Sequence, residues 1–208
     1  MRTRLGVHAL LGSAIAATIC LAGGALAAVQ TPLAIDSARI TITGTSNIHA
    51  YTASTTTVRV KRALIADAPD GLDVWANALR PGGMDTFEIA IPAATLTSPK
   101  DGIDKPMYKA LQVVEHPDIV FRLLRLEPRT GTTGAVRAIG VLQIAGVERE
   151  VALDLTTERK DSALTVRGQL QLLMTDYGIK PPTAMLGMLK TDPKVTVAFE
   201  TVFAIPTT

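Results

Sequence analysis

From Leu164 to Met174 every second residue faces the same way: Leu164, Val166, Gly168, Leu170, Leu172 and Met174 alternate with Thr165, Arg167, Gln169 and Gln171. A period of two marks a β-strand that buries one face and wets the other. The pattern recurs around Ile40 to Thr43, Thr56 to Lys61, Phe87 to Ile91, Ala135 to Ala145, Val147 to Leu155 and Val195 to Phe203, with clusters of Gly, Pro and Asp between the runs. Eight strands are expected, at residues 33–43, 53–64, 85–92, 118–127, 135–145, 148–157, 162–174 and 194–204. Long strands with one wet face each point to a single antiparallel sheet wrapped round its own apolar side, an all-β, eight-stranded barrel. No repeat, low-complexity tract or linker divides the chain.

The alternation also assigns faces. Leu142, Ile144, Leu153, Val166, Leu170, Val197 and Phe199 are expected inside, and Arg137, Arg167, Gln169 and Thr196 outside. Ala145-Gly146 reads as a hairpin turn. Between Ile119 and Leu126 apolar residues fall on both faces, which a bulge or a covered outer face would explain. Two short helices are expected in the loops, one over residues 70–79 starting at Asp70 and stopped by Pro81-Gly82-Gly83. The other runs over residues 104–111, with Asp104 as its N-cap and Pro106 in its first turn.

The first residues do not share this pattern. Arg2 and Arg4 precede an uncharged stretch from Ala9 to Ala28, and Ala25-Leu26-Ala27 supplies small residues for a cleavage site. This is the pattern of a secretory signal peptide, residues 1–27, ahead of a barrel domain, residues 28–208. A single membrane anchor is the rival reading, since about 20 apolar residues can span a bilayer. The stretch is rich in Ala and Gly, however, and no basic stop follows it. Lipoprotein processing at Cys20 is disfavoured by Ile19 before it, where a small residue is needed.

Removing Arg2 and Arg4 from 21 basic residues leaves them in balance with the 19 acidic ones. A neutral chain with interspersed signs lacks the basic footprint of nucleic-acid binding. It also lacks cysteine beyond residue 27, so disulfides, thiolate metal sites and cysteine nucleophiles are excluded.

Other catalytic chemistry is equally scarce. Beyond residue 27 only His49 and His116 remain, with no paired-histidine metal spacing, so no metal site or cofactor is expected. Ser46 and His49, three apart, fall on opposite faces of an extended strand, which argues against a Ser–His nucleophile. Glu115-His116-Pro117-Asp118 reads as a solvated turn leading into a strand.

Four motifs in order, Ser98 to Leu111, His116-Pro117-Asp118-Ile119-Val120-Phe121, Gly140 to Val147 and Met174-Thr175-Asp176-Tyr177-Gly178-Ile179, resemble those of the YceI family. The resemblance covers nearly all of residues 28–208. It implies a lipocalin-like barrel, periplasmic or secreted, whose lumen holds a long isoprenoid-type lipid. The chain departs from the family pattern at residues 65–83, an apparent insertion carrying Trp75, and at Asn47 to Tyr51, which replaces a more aromatic segment.

An eight-stranded barrel is just wide enough to be filled by its own side chains or to hold one slender ligand. With one Trp, three Tyr and four Phe in the chain, and Ala138, Gly140 and Gly168 facing inward, room for a ligand is expected. The mouth is expected near residues 103–111 and 174–181. Ligand contacts are assigned to Met107, Tyr108, Leu111, Phe121, Gly140, Gly168, Leu170, Met174 and Tyr177, although core packing competes for each. The expected function is a non-enzymatic, exported lipid binder without a stable membrane anchor, free to act as a homodimer. The alternative is a periplasmic interaction or stress-related module whose barrel is fully packed.

Overall fold

The computed structural model describes residues 31–69, 71–129, 134–184 and 188–206. The expected signal segment 1–27 and the expected helix start at Asp70 lie outside them. Eleven strands are present among the described residues: β1 (Thr31–Pro32), β2 (Ala34–Ser46), β3 (Ala50–Thr55), β4 (Arg59–Ile65), β5 (Met84–Pro92), β6 (Asp118–Pro128), β7 (Ala135–Ile144), β8 (Val147–Lys160), β9 (Ala163–Leu173), β10 (Thr183–Ala184) and β11 (Leu189–Ala204). Two helices join them, α1 (Val74–Leu79) and α2 (Asp104–Leu111).

Every pairing is antiparallel, and the order is β1-β4-β5-β6-β7-β8-β9-β11-β2-β3, with β10 on the edge of β11. The two ends of that path meet. β1 runs into β2 through Leu33 alone, and β3 is followed by β4, so Pro32↔Leu64 and Ile40↔Thr55 pair the same two stretches of chain at their opposite ends. Counted as interrupted strands, β1–β2 and β3–β4 complete the eight expected, and the sheet curls round on itself in lipocalin-like fashion.

The expected continuous strand over 53–64 is broken between β3 and β4. Ser54 exchanges backbone hydrogen bonds with Thr97 at 2.8 and 3.0 Å, and the Thr55 hydroxyl accepts from the Thr57 N–H at 3.0 Å. A local side-chain partner for the backbone competes with the ladder, and here it bends the strand.

The β6–β7 register slips between Leu123 and Arg125, the bulge expected from the broken alternation. Ile119, Phe121 and Leu123 face in before it and Leu126 after it, while Leu124 is left exposed. At the β7–β8 turn Ala145 and Gly146 both adopt positive φ, +47° and +78°, the backbone a tight hairpin of this twist requires.

Outside, cross-strand ion pairs follow the expected faces. Arg137 Nε meets Asp154 at 2.8 Å, and Arg167 meets Glu200 at 2.6 Å and Glu158 at 3.0 Å. Inside, Leu142, Ile144, Leu153, Val166, Leu170, Val197 and Phe199 all face the lumen as the alternation predicts.

Both helices differ in their caps from expectation. α1 begins at Val74 rather than near residue 70, because Asp73 takes the N-cap: its carboxylate accepts from the backbone N–H groups of Trp75 at 3.0 Å and Ala76 at 3.4 Å. α2 has the expected span, but Ile103 stands at its N-cap and Asp104 lies in the first turn. The Asp104 carboxylate instead accepts from the Ser98 N–H at 2.8 Å, which holds the preceding loop to the helix.

Candidate ligand-binding cavity

A cavity of about 430 Å3 runs through the curled sheet. That falls within the roughly 300–1,000 Å3 typical of small-molecule sites. Its walls are the inward residues of β2, β3 and β5 through β11, almost all apolar. Leu170, Leu172, Val197 and Phe199 are only half-buried although they point inward, because the lumen is not filled by side chains.

One end is bordered by α2, by the β2–β3 turn and by the segment after β9. Met107, Ala110 and Leu111 line it from one side of α2, while Lys105 and Lys109 stand exposed on the same helix. Most of the polar lining gathers here: Ser46, His49, Tyr51, Thr183 and Thr191. Asn47 fastens this rim, donating to the Met188 carbonyl and accepting from the Lys190 N–H, each at 2.8 Å. Tyr51 lies over Gly44, and burial, with a smaller contribution from Asp192, pushes its phenol above the usual pKa. Its hydroxyl adds a hydrogen-bonding group to this end of the cavity.

At the other end lie Leu33, Met84, Leu164, Phe203 and α1, with Trp75, Ala78 and Leu79 on the lining. Phe87 and Phe203 meet edge-to-face there, with centroids 5.7 Å apart. Asn77, fully buried in α1, is satisfied: its amide donates to the Ala66 carbonyl at 2.7 Å and its oxygen accepts from Arg80 at 2.6 Å. The Ser46 hydroxyl is spent on its own turn, accepting from the N–H groups of Ile48 and His49 and donating to the His49 carbonyl. Among the described residues, no group of three or more His, Cys, Asp or Glu side chains is placed to hold a metal ion.

A YceI-like domain model matches residues 33–203. The chain belongs to the YceI family. Solved structures agree on the fold. BcnA of Burkholderia cenocepacia superposes with a TM-score of 0.63 at 12% identity, over 79% of this chain and 95% of that one. A polyisoprenoid-binding domain from Saccharophagus degradans, implicated in plant cell wall breakdown, gives 0.59 at 12% identity, over 85% and 99%. The YceI protein of Campylobacter jejuni gives 0.53 at 15%, over 73% and 85%. No curated protein matches the sequence.

Of the nine residues singled out from the sequence, Met107, Leu111, Phe121, Leu170 and Met174 lie on the cavity wall and Tyr108, Gly140, Gly168 and Tyr177 do not. In this YceI domain those four hold the wall itself. The Tyr108 hydroxyl donates to the Leu96 carbonyl at 2.7 Å and ties α2 to the barrel. Tyr177, 2% exposed, packs with Ile144, Ala145 and Ile179 rather than facing the lumen. The space beside Gly140 and Gly168 belongs to aromatic rings: a Cβ would stand 2.5 Å from Phe121 and 2.7 Å from Phe199. The glycines let both rings lie close against the wall, which keeps the lumen open indirectly. His116 likewise covers the β7–β8 turn, with its ring 2.5 Å from where a Gly146 Cβ would be.

Trp75 and Tyr51 are wall residues that the sequence patterns do not reveal. Trp75 sits in the segment that looked like an insertion, and Tyr51 in the turn that departs from the family pattern. No alternation marks either, because Trp75 reaches the lumen from the short helix α1 and Tyr51 from the start of β3, directly after the β2–β3 turn.

Proposed function

We propose that this YceI protein is an exported, non-enzymatic carrier that holds one long apolar molecule of isoprenoid type in its lumen. The observation that carries the reading is the cavity: continuous between α1 and α2, apolar along the barrel, and polar mainly at one end. Ten-residue β7 spans about 33 Å along the strand, and a strand tilt of about 40° leaves roughly 25 Å along the barrel axis. An extended hydrocarbon chain fits such a shape better than a compact ligand does. Its removal from water supplies affinity at roughly 25 cal/mol per Å2 of apolar surface buried.

In this reading Met107, Leu111 and Met174 contact the ligand near the mouth, and Phe121 and Leu170 contact it along the barrel. The two thioethers suit a chain of variable shape, since Met adapts its packing readily. The polyisoprenoid-binding domain among the structural neighbours is consistent with this choice of ligand. The packed-barrel alternative requires a filled lumen, and the cavity favours the carrier. Export to the periplasm or the medium follows from the signal pattern at residues 1–27, and no helix among the described residues is long and apolar enough to cross a membrane. N-terminal sequencing of the mature protein should find Ala28 or a neighbour first; Met1 retained in the membrane fraction would establish an anchor instead. Organic extraction of the purified protein followed by mass spectrometry tests the ligand.

A further inference from the structure

The lumen has unlike ends, and the difference lies in α1. The helix belongs to the β4–β5 connection, and the indole N–H of Trp75 donates to the carbonyl of Ser162 in the β8–β9 turn at 3.1 Å. In the strand order, β4 and β5 lie across the barrel from β8 and β9. A second tie makes the same crossing: Arg159, at the end of β8, meets the Asp73 carboxylate at 2.7 Å. The helix therefore spans this end like a bar, fixed on both rims. The Trp75 ring, 2% exposed, packs among Leu33, Ala63, Ile65, Leu164 and Phe203 and also lines the cavity.

From this geometry we infer that Trp75 is the floor of a blind lumen: a ligand threads tail-first from the α2 end, its terminus stops against the indole, and Trp75 sets the longest chain that fits. The inference rests on the carrier reading and adds direction and a length limit to it. Charge and polarity agree with the direction. A hydroxyl or carbonyl head finds His49, Tyr51, Thr183 and Thr191 at the mouth, whereas the floor is mainly hydrocarbon, its indole N–H already bonded and its polar lining limited to Thr157 and Thr201. A polar head driven to the floor would exchange its water for at most Thr201 and the Thr157 hydroxyl, which already donates to the Gly134 carbonyl.

Because Trp75 is the chain's single tryptophan, its fluorescence reports on the floor alone. The test uses the wild-type protein with a polyprenyl alcohol carrying a nitroxide quencher either at its terminal isoprene or at its alcohol end, binding being read separately from immobilisation of the nitroxide signal. The expected result is quenching several-fold stronger from the terminal label at equal occupancy. Equal quenching, or stronger quenching from the alcohol-end label, overturns the tail-first floor. Failure of both labelled alcohols to bind overturns the carrier reading and the inference with it.

Chain length gives the second measurement. Trp75→Leu shortens the floor residue while keeping it apolar, and the longest prenol bound without loss of affinity should grow by at least one isoprene unit. A folded Trp75→Leu protein with the wild-type length limit would show that the stop lies elsewhere. If that variant does not fold, the quenching experiment still decides the matter on the unmodified chain.

Discussion

The ring of Phe199 occupies the space beside Gly168: the two residues are register partners on β11 and β9, and a Cβ on Gly168 would stand 2.7 Å from the Phe199 Cζ. The Leu155 side chain closes in at 2.8 Å from the same point. Gly168→Ala should therefore overpack the wall and cost about 1–3 kcal/mol. Gln169→Ala, on the outer face next to it, should stay within about 0.5 kcal/mol of wild type. Urea midpoints of the two variants check this, and equal losses would mean the faces are misassigned.

A hollow lumen makes inward residues unequal. Leu96 has no exposed surface and sits in a packed cluster under α2, so Leu96→Ala should cost about 2–5 kcal/mol. Leu170 already borders open space, so Leu170→Ala enlarges an existing cavity and should cost less, below about 2 kcal/mol. Thermal unfolding of both, after lipid extraction, should preserve that order.

Much of this was legible beforehand because one-sided burial writes itself into alternation. β7 and β9 were recovered almost to the residue, and the β6 bulge showed as apolar residues on both faces of Ile119 to Leu126. What alternation cannot encode is a choice between local partners. The Thr55 hydroxyl cutting β3 from β4, and Asp73 starting α1 later than residue 70, are hydrogen bonds only the folded chain reveals. The site was half legible for the same reason. Inward glycines implied space, yet rings from other strand positions moved into it, and the floor residue Trp75 comes from a six-residue helix too short to show an apolar period.

Acid should weaken the outer wall at a defined place. Hydrogen bonds from Arg137 and Arg129 lower the Asp154 carboxyl from 3.8 to about 2. Its pKa is depressed in the folded state, so its contribution is present above the unfolded value and is lost as pH falls from about 4 through 2. The urea midpoint of the wild type should decline across that window, and Asp154→Asn should remove that part of the decline. Identical pH profiles for the two proteins would show that the pairing contributes nothing to stability.

The bar across the barrel end should depend on its cap. Asp73→Ala removes both the N-cap of α1 and the partner of Arg159, and should cost about 0.5–2 kcal/mol. Trp75 fluorescence should shift to the red as the floor loosens. An unchanged emission maximum together with unchanged stability would mean that α1 is held by packing alone.

The central claim, an apolar ligand inside the barrel, is tested most directly by mass spectrometry of organic extracts from purified wild type and from Leu170→Trp, a variant that fills the lumen from its wall. Wild type should yield a long-chain, isoprenoid-type lipid in near-stoichiometric amount, and a folded Leu170→Trp should yield little. No lipid from the wild type, or the same lipid retained in full by the filled variant, would contradict the account.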